Sequence, residues 1–243
     1  MNEYRHLGRH TLAPLFLIAA YNLPMNTPTL TIDVVSDVVC PWCYIGKRKL
    51  EAALALPDAA TLPNVVIRWH PFQLNPDMAP QGVPRKQYLE DKFGGPERAA
   101  EIYERVRAAG TAVGLTLNID GITLQPNTLA AHALIAFAQS GDADGSDINE
   151  RLLKAYFVEN RFIGSADVLA DIAEEAGLNG DAARAFVTDP EQLEAVAQAD
   201  AHTRSLGISG VPFFIFNQKV VVSGAQDAAT LLGAMQKAAS GKD

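Results

Sequence analysis

Four short runs of apolar, β-branched or aromatic residues occur in the chain, two near its start and two near its end. They cover residues 30–35, 65–72, 211–216 and 219–222. Runs of this length and composition, bounded by polar or turn-forming residues, predict β-strands. Only Asn217-Gln218 separates the last two runs, so we expect those two strands to form a hairpin.

Apolar residues recur at helical spacing in the intervals between these runs. A helix from Cys43 to Leu56, ended by Pro57, follows the first strand, so the first two strands are expected to be parallel. A connector rich in proline and glycine, residues 71–84, then leads into a long helical region. Further helices are predicted near 85–93, 96–113, 126–140, 147–158, 165–176, 181–187, 191–206 and 227–239, with 116–124 as an extended segment.

This order of elements predicts an α/β protein in which a strand–helix–strand unit and a later strand–strand–helix unit share one mixed sheet. Residues 29–80 and 191–240 are expected to form this core, and residues 81–190 to form a large all-α insertion. The stretch 29–240 is predicted to be a single domain. Residues 1–28 are predicted to be an N-terminal extension that is poorly ordered.

An apolar run at residues 11–25 resembles a short signal peptide. It contains Pro14, lacks a small residue at the expected place before a cleavage site, and is shorter than the about 20 apolar residues that span a membrane. We therefore expect that Met25 is the true start and that the protein is cytoplasmic. If residues 1–24 act as a signal peptide instead, the protein is periplasmic or exported.

The chain of 243 residues carries a formal net charge of −8, with 48% hydrophobic and 20% charged residues. This acidic balance argues against nonspecific binding of nucleic acid, which needs Lys and Arg to neutralise phosphates. The one basic cluster, Lys47 to Lys49, is expected to be a solvated helix face. We expect no nucleic-acid partner and no membrane partner, and the oligomeric state stays open.

The two cysteines lie three positions apart, in the sequence Cys40-Pro41-Trp42-Cys43, at the predicted strand-to-helix junction. Two thiols at this spacing can close a small disulfide ring, and only a thiolate attacks a disulfide. The unpaired N–H groups of the helix start favour the thiolate of Cys40, with a small added field from Lys47 and Arg48. We expect Cys40 to be the exposed nucleophile and Cys43 to resolve the mixed disulfide. Pro41 restricts the backbone between them.

The cysteine pair has two alternative roles, a metal site and plain burial. A structural zinc site needs four ligands, no other cysteine exists, and the histidines lack a second ligand at helical spacing. We therefore predict no metal. Burial of both thiols as small hydrophobic residues is less favoured, because they lie between a strand and a helix.

The segment Gly210-Val211-Pro212 leads directly into the predicted third strand. If the Val211–Pro212 bond is cis, the bend brings the Val211 backbone beside Cys40, where an extended substrate could pair as an added strand. An ordinary trans proline at a strand start is the alternative. Val211, Pro212, Trp42 and Phe213 are the candidate substrate-binding residues, whereas core packing is preferred for Phe214.

Four segments resemble the DsbA-like thioredoxin-fold proteins, in particular the FrnE-type subgroup. They are SDVVCPWCYIG at 36–46, HPFQLNP at 70–76, GISGVPFF at 207–214 and SGAQ at 223–226. The resemblance implies a thioredoxin-like core with a helical insertion and exchange of protein or small-molecule disulfides. It also implies that Cys40 is the nucleophile, Cys43 its partner and Pro212 a cis proline.

The chain departs from the family pattern at two positions. Thioredoxins and DsbA proper carry a buried carboxylate six residues before the first cysteine, where this chain has Val34. Asp33 is expected to face the opposite side of the strand, and Asp37 is a candidate substitute or a plain helix cap. Trp42 replaces the histidine of DsbA proper, which predicts a weaker oxidant.

The leading hypothesis is a thiol–disulfide oxidoreductase or isomerase that acts on disulfide- or thiol-containing proteins or on glutathione. No bound cofactor is expected beyond the redox-active Cys40–Cys43 disulfide, with glutathione as a candidate co-substrate. The runner-up is a glutathione-dependent transferase or isomerase of the kappa-class or hydroxychromene-carboxylate isomerase type, which typically has Ser in place of the first cysteine. A third hypothesis is a chaperone-like binding module that needs neither thiol.

Overall fold

A four-stranded mixed sheet lies at the centre of the computed structural model, which describes residues 29–141 and 145–240. The predicted extension at residues 1–28 lies outside the described residues. The strands are β1 (Thr29–Ser36), β2 (Asn64–Pro71), β3 (Val83–Pro84), β4 (Leu124–Gln125), β5 (Phe213–Phe216) and β6 (Val220–Ser223). The strand order in the sheet is β2-β1-β5-β6, with β1 parallel to β2 and antiparallel to β5, and β5 and β6 form the predicted hairpin.

Nine helices accompany the strands in the described part of the chain. Each predicted helix is present, the one predicted at 85–93 with the same ends and the others with ends shifted by one to three residues. The prediction of an extended segment over 116–124 is wrong for most of its length, because Ile119–Gly121 is a 3-10 turn and only β4 follows. β4 pairs with β3, so the insertion is helical apart from this short ribbon. The helices are α1 (Pro41–Leu54), α2 (Arg85–Phe93), α3 (Pro96–Thr111), α4 (Leu129–Gln139), α5 (Gly145–Phe157), α6 (Ala166–Glu175), α7 (Gly180–Thr188), α8 (Pro190–Ser205) and α9 (Ala228–Ser240).

Helix α1 begins at Pro41, two residues before the predicted start, and ends at Leu54. A proline is suited to the first helical position because its missing N–H would have no partner there. At the other end, Pro57 does not stop the helix directly but begins a separate 3-10 turn, Pro57–Thr61. The early start places the first cysteine at the N-cap position rather than ahead of the helix.

The main hydrophobic core lies on one face of the sheet and continues into the insertion. Val34 pairs with Phe214 across β1 and β5, and both are buried in this core. Residues of α4, α5 and α6 belong to the same core, so the insertion packs on the sheet through shared apolar contacts. Burial of this kind is the main favourable contribution to folding.

The edge of the sheet at β2 is covered by α4. The side-chain amide of Gln139 accepts a hydrogen bond from the Trp69 N–H at 2.7 Å and donates one to the Trp69 carbonyl at 3.0 Å. Both backbone groups of an edge-strand residue are thereby satisfied, as a neighbouring strand would do. This contact fixes the insertion against the strand that follows α1 in the chain.

Candidate active site

The junction of β1 and α1 places the two cysteines at the start of the helix. Cys40 is the N-cap residue, its N–H donates to the Asp37 carbonyl at 3.0 Å, and its own carbonyl accepts from Cys43 N–H at 3.0 Å. No side chain caps this helix, so the alternative of Asp37 as a plain cap is wrong. The N–H groups of the first turn of α1 are therefore not occupied by a side-chain cap.

Both thiols are free and buried. Cys40 is 5% exposed and Cys43 is 2% exposed. The prediction that Cys40 is exposed is therefore wrong. The reason is the loop before β5, which lies against it and brings the Val211 carbonyl oxygen to 3.8 Å from the Cys40 Sγ.

The Val211–Pro212 peptide bond is cis, and this loop packs directly on helix α1. Gly46 makes the close approach possible, because a Cβ atom there would lie 2.8 Å from Pro212 Cγ and 3.3 Å from the Phe214 ring. Any side chain at this position would displace the loop or the helix. Gly46 thus sets the distance between the loop and the helix that carries Cys40.

Burial raises the pKa of the Cys43 thiol well above its ordinary value, and the hydrogen bond and charge of Cys40 raise it further. Two nearby groups act in the opposite direction, the Asp37 N–H at 3.5 Å from Sγ and the Ser36 hydroxyl. Desolvation disfavours a thiolate, so Cys43 carries its proton in the reduced protein at neutral pH. A resolving role for Cys43 therefore requires that this proton be removed.

The remaining candidate substrate-binding residues differ in position. Trp42 is 41% exposed beside the buried thiols, on the outer side of the first helical turn. Phe213 instead packs with Val35 and Phe72 in a small apolar cluster, on the face of the sheet opposite to Phe214. Phe214 is fully buried in the main core, as expected. The packing of Phe213 explains its apolar character without a substrate.

Two of the three bases in the cluster on α1 belong to an ion-pair network rather than to a solvated helix face, and the third, Lys49, donates to the Ala225 carbonyl at 2.7 Å. Lys47 is only 5% exposed and pairs with Glu51 and with Glu150 of α5, at 2.8 Å from the latter. Arg48 pairs with the same two carboxylates. Because the negative charges of Glu51 and Glu150 balance the positive charges of Lys47 and Arg48, the positive field expected at the cysteines is largely cancelled.

Two buried acid–histidine contacts flank the first strand. Asp33 lies on the face opposite to Val34, as expected, and its Oδ1 is 2.8 Å from His70 Nε2. Asp37 is fully buried, and its Oδ1 is 3.4 Å from Nε2 of His132. His132 is the site neighbour that the sequence did not reveal, because it lies in an apolar helical run about 90 residues after the cysteines.

Within residues 29–141 and 145–240, no group of three or more His, Cys, Asp or Glu side chains is arranged to bind a metal ion. Over the same residues, no helix combines the length and apolar character needed to cross a bilayer.

Fold and site together match a known family. A profile of the DSBA-like thioredoxin domain matches residues 31–236. This chain belongs to the DsbA-like thioredoxin family. The match covers the family as a whole, so membership of the FrnE-type subgroup within this DsbA-like family stays a prediction.

Similar proteins support the DsbA-like assignment. YwbO of Bacillus subtilis (strain 168), an uncharacterized protein, is 29% identical over 202 residues, covering 81% of this chain and 92% of that protein. The crystal structure of SCO1869 from Streptomyces coelicolor, a probable DsbA oxidoreductase, has 27% identity and a TM-score of 0.76, covering 88% and 92% of the two chains.

Two further solved structures share the fold alone. A 2-hydroxychromene-2-carboxylate isomerase is 14% identical with a TM-score of 0.63, covering 85% of this chain and 95% of that one. The cytosolic disulfide reductase DsbM of Pseudomonas aeruginosa, solved with GSH, is 21% identical with a TM-score of 0.57, covering 86% and 96%. Proteins with this fold thus carry different activities, so the function of this chain has to be inferred from the residues of its site.

Proposed function

We propose that this protein is a thiol–disulfide oxidoreductase with Cys40 as nucleophile and Cys43 as resolving thiol. The observation that carries the proposal is the arrangement of two thiols on the first turn of α1, with Cys40 Sγ 3.8 Å from the Val211 carbonyl. The Val211 carbonyl beside the attacking sulfur is placed to accept a backbone hydrogen bond from an extended substrate segment. Exposed Trp42 offers an apolar contact next to it.

The exchange proceeds in two steps. The thiolate of Cys40 attacks one sulfur of a substrate disulfide, so the Cys40–substrate bond forms and the other substrate sulfur leaves as a thiolate and takes a proton. Cys43 then loses its proton and attacks Cys40 Sγ, which forms the Cys40–Cys43 disulfide and releases the second substrate sulfur. The substrate gains the two electrons that the protein loses, and a substrate dithiol drives the same steps in reverse.

Glutathione or a protein thiol is the proposed partner that regenerates the starting state. The support is the DsbM structure, which belongs to a cytosolic disulfide reductase and was solved with GSH. By this likeness we extend glutathione as co-substrate and the cytoplasm as compartment to the present chain. The thiol–disulfide poise of that compartment would favour net reduction of substrates.

A glutathione-dependent isomerase or transferase is the competing function, because one isomerase has the same fold. Such an enzyme needs only one sulfur-binding position at the helix start. The chain instead has cysteines at both Cys40 and Cys43, and a second thiol is required only for dithiol exchange. This favours redox chemistry at the site.

Catalysed reduction of a protein disulfide by wild type, Cys40→Ser and Cys43→Ser tests the proposal. We expect turnover with wild type and none above background with either variant. Activity on a glutathione-dependent substrate that survives Cys43→Ser would support the isomerase or transferase instead. Binding of unfolded proteins that survives both changes, without any disulfide turnover in wild type, would indicate a binding module.

A further inference from the structure

Two buried polar side chains near Cys43, those of Asp37 and His132, have no role in the two steps of the proposed disulfide exchange. The carboxylate of Asp37 is fully buried, and the imidazole of His132 on α4 is 4% exposed. Nε2 of His132 lies 3.4 Å from Oδ1 of Asp37 and makes no hydrogen bond of regular geometry. The insertion therefore brings an imidazole nitrogen to the residue that follows β1.

The carboxylate of Asp37 is fixed by backbone donors. Leu74 N–H donates to Oδ2 at 2.7 Å, and Val39 N–H is 3.5 Å from Oδ1. Across the described ranges, His132 is the only Lys, Arg or His side chain within 4 Å of this carboxylate. A buried charge is stable only when it is hydrogen-bonded or paired, so a proton gained by His132 would be stabilised by Asp37 beside it.

A small cavity of about 10 Å³ lies next to His132 and is also lined by Ser36 and Asn149. Its volume is about that of one water molecule. The Ser36 hydroxyl, His132 Nε2 and both amide atoms of Asn149 have no hydrogen-bond partner of regular geometry among the protein atoms. A water molecule there would find the two to four polar partners that a buried water needs.

Ser36 connects this cavity to the resolving thiol. It lies at the end of β1, and its hydroxyl favours the thiolate of Cys43 against the larger, opposite effects of burial and of Cys40. The next residue, Asp37, donates its N–H to Cys43 Sγ at 3.5 Å. Ser36 thus lines the cavity together with His132 and directly precedes Asp37, whose N–H contacts the sulfur.

We propose that Asp37 and His132 act together as the proton-transfer pair for Cys43, reached through Ser36 and a water molecule in the cavity. The inference rests on the proposed dithiol exchange. Both are positioning residues, because they act on the sulfur through other groups. The pair would replace the buried carboxylate that related proteins carry at the position of Val34.

In the resolving step, one proton moves from Cys43 to His132. The Cys43 S–H bond breaks, and the proton passes through Ser36 and the water to Nε2 of His132, where Asp37 stabilises the imidazolium. The Cys43 thiolate forms the bond to Cys40 Sγ while the substrate thiolate leaves. When a thiol reduces the disulfide, Cys43 leaves and the proton returns to it. The substrate disulfide is the only oxidant required.

Other titratable groups face this region from each element packed around it. They are Cys40 of α1, His70 of β2, which lines the cavity and contacts Asp33 of β1, and Tyr156 of α5. One contact further away are Arg85 of α2, which binds the Tyr156 hydroxyl, and Asp200 of α8, which binds Gln73 N–H.

Single-turnover kinetics with oxidised glutathione separate the two steps. Reduced protein is mixed with oxidised glutathione, and samples are quenched with acid at intervals. Mass spectrometry then quantifies the Cys40–glutathione disulfide and the Cys40–Cys43 disulfide. The variants are His132→Gln and Asp37→Asn, with His202→Gln, on the exposed side of α8, as the matched control.

We expect His132→Gln and Asp37→Asn to slow resolution at neutral pH by about 100-fold, the low end for general acid–base catalysis. Formation of the mixed disulfide and the control variant are expected to be unchanged. The loss should shrink as the pH approaches the raised pKa of Cys43, because the thiolate then forms without the pair. If Asp37→Asn does not fold, His132→Gln alone decides.

Unchanged resolution in the variants would overturn the proton-transfer pair. So would an equal slowing of both steps without a change in pH profile, which indicates a structural role. Failure of the wild type to form any Cys40–Cys43 disulfide would overturn the proposed function itself. This outcome differs from the other two because it concerns the wild type and not the variants.

Discussion

The two sulfur atoms of the motif are three residues apart but face different surroundings. Cys40 lies against the Val211 carbonyl in the loop before β5, with Trp42 exposed nearby. Cys43 lies inside, among polar groups of β1 and of the turn that follows it. Under the proposed function, the Cys40 side of the site would bind the substrate, and the groups around Cys43 would accept the proton of a buried thiol.

The largest effect is expected from removing one thiol at a time. In Cys43→Ala, Cys40 should still react with oxidised glutathione, and the mixed disulfide should persist because nothing resolves it. Cys40→Ala should form no adduct on the same timescale, since Cys43 is buried and protonated. Intact mass spectrometry measures both. Equal adducts on the two variants would remove the distinction between the thiols.

The charges on α1 are predicted to matter for stability and not for exchange. In Glu150→Gln, the buried Lys47 loses a charged partner, so the free energy of unfolding should fall by about 1.5–3 kcal/mol. Burial alone would raise the pKa of Glu150, yet Lys47, Tyr44 and Arg48 keep it below its ordinary value, so this contribution is lost as the pH falls. Denaturant unfolding gives the stability. A changed rate of attack by Cys40 would show that the network acts on the thiols.

The contact between α1 and the loop is tested by a matched pair of glycines. Gly46→Ala and Gly233→Ala both gain the same helix propensity, but only at Gly46 does the new Cβ meet Pro212, since nothing lies within 4 Å of the Cβ position at Gly233. Gly46→Ala should be less stable than Gly233→Ala by about 1–3 kcal/mol. Its exchange rate should fall as well, while that of Gly233→Ala stays at the wild-type value.

Much of this arrangement is predictable from the chain, and the rest depends on distant partners. Local patterns identify the strands, the helices and the loop at Val211, because propensity and turn chemistry act over a few residues. The burial of Lys47 depends on Glu150, about 100 residues away, and the burial of Cys40 on a loop about 170 residues away. His132 lies in an apolar helix, and nothing in the sequence around it indicates that its side chain meets Asp37.

The smallest effect is a pH dependence of stability that distinguishes the reduced wild type from Cys43→Ala. The folded-state pKa of Cys43 is raised, so its contribution to stability is complete below the ordinary cysteine pKa of about 8.5 and is lost as the pH rises towards the raised value. Reduced protein should lose up to about 1.4 kcal/mol per pH unit there, relative to Cys43→Ala. Unfolding curves from pH 7 to 10 check this, and parallel curves for the two proteins would contradict it.

Equilibration with mixtures of reduced and oxidised glutathione tests the central claim most directly. The measured quantity is the fraction of protein with a Cys40–Cys43 disulfide, counted by mass spectrometry after acid quenching. We predict a reversible transition with a reduction potential more negative than the about −120 mV of DsbA, since Trp42 stands between the cysteines. Absence of the intramolecular disulfide in every mixture, with at most a stable glutathione adduct on one cysteine, would contradict a dithiol redox centre.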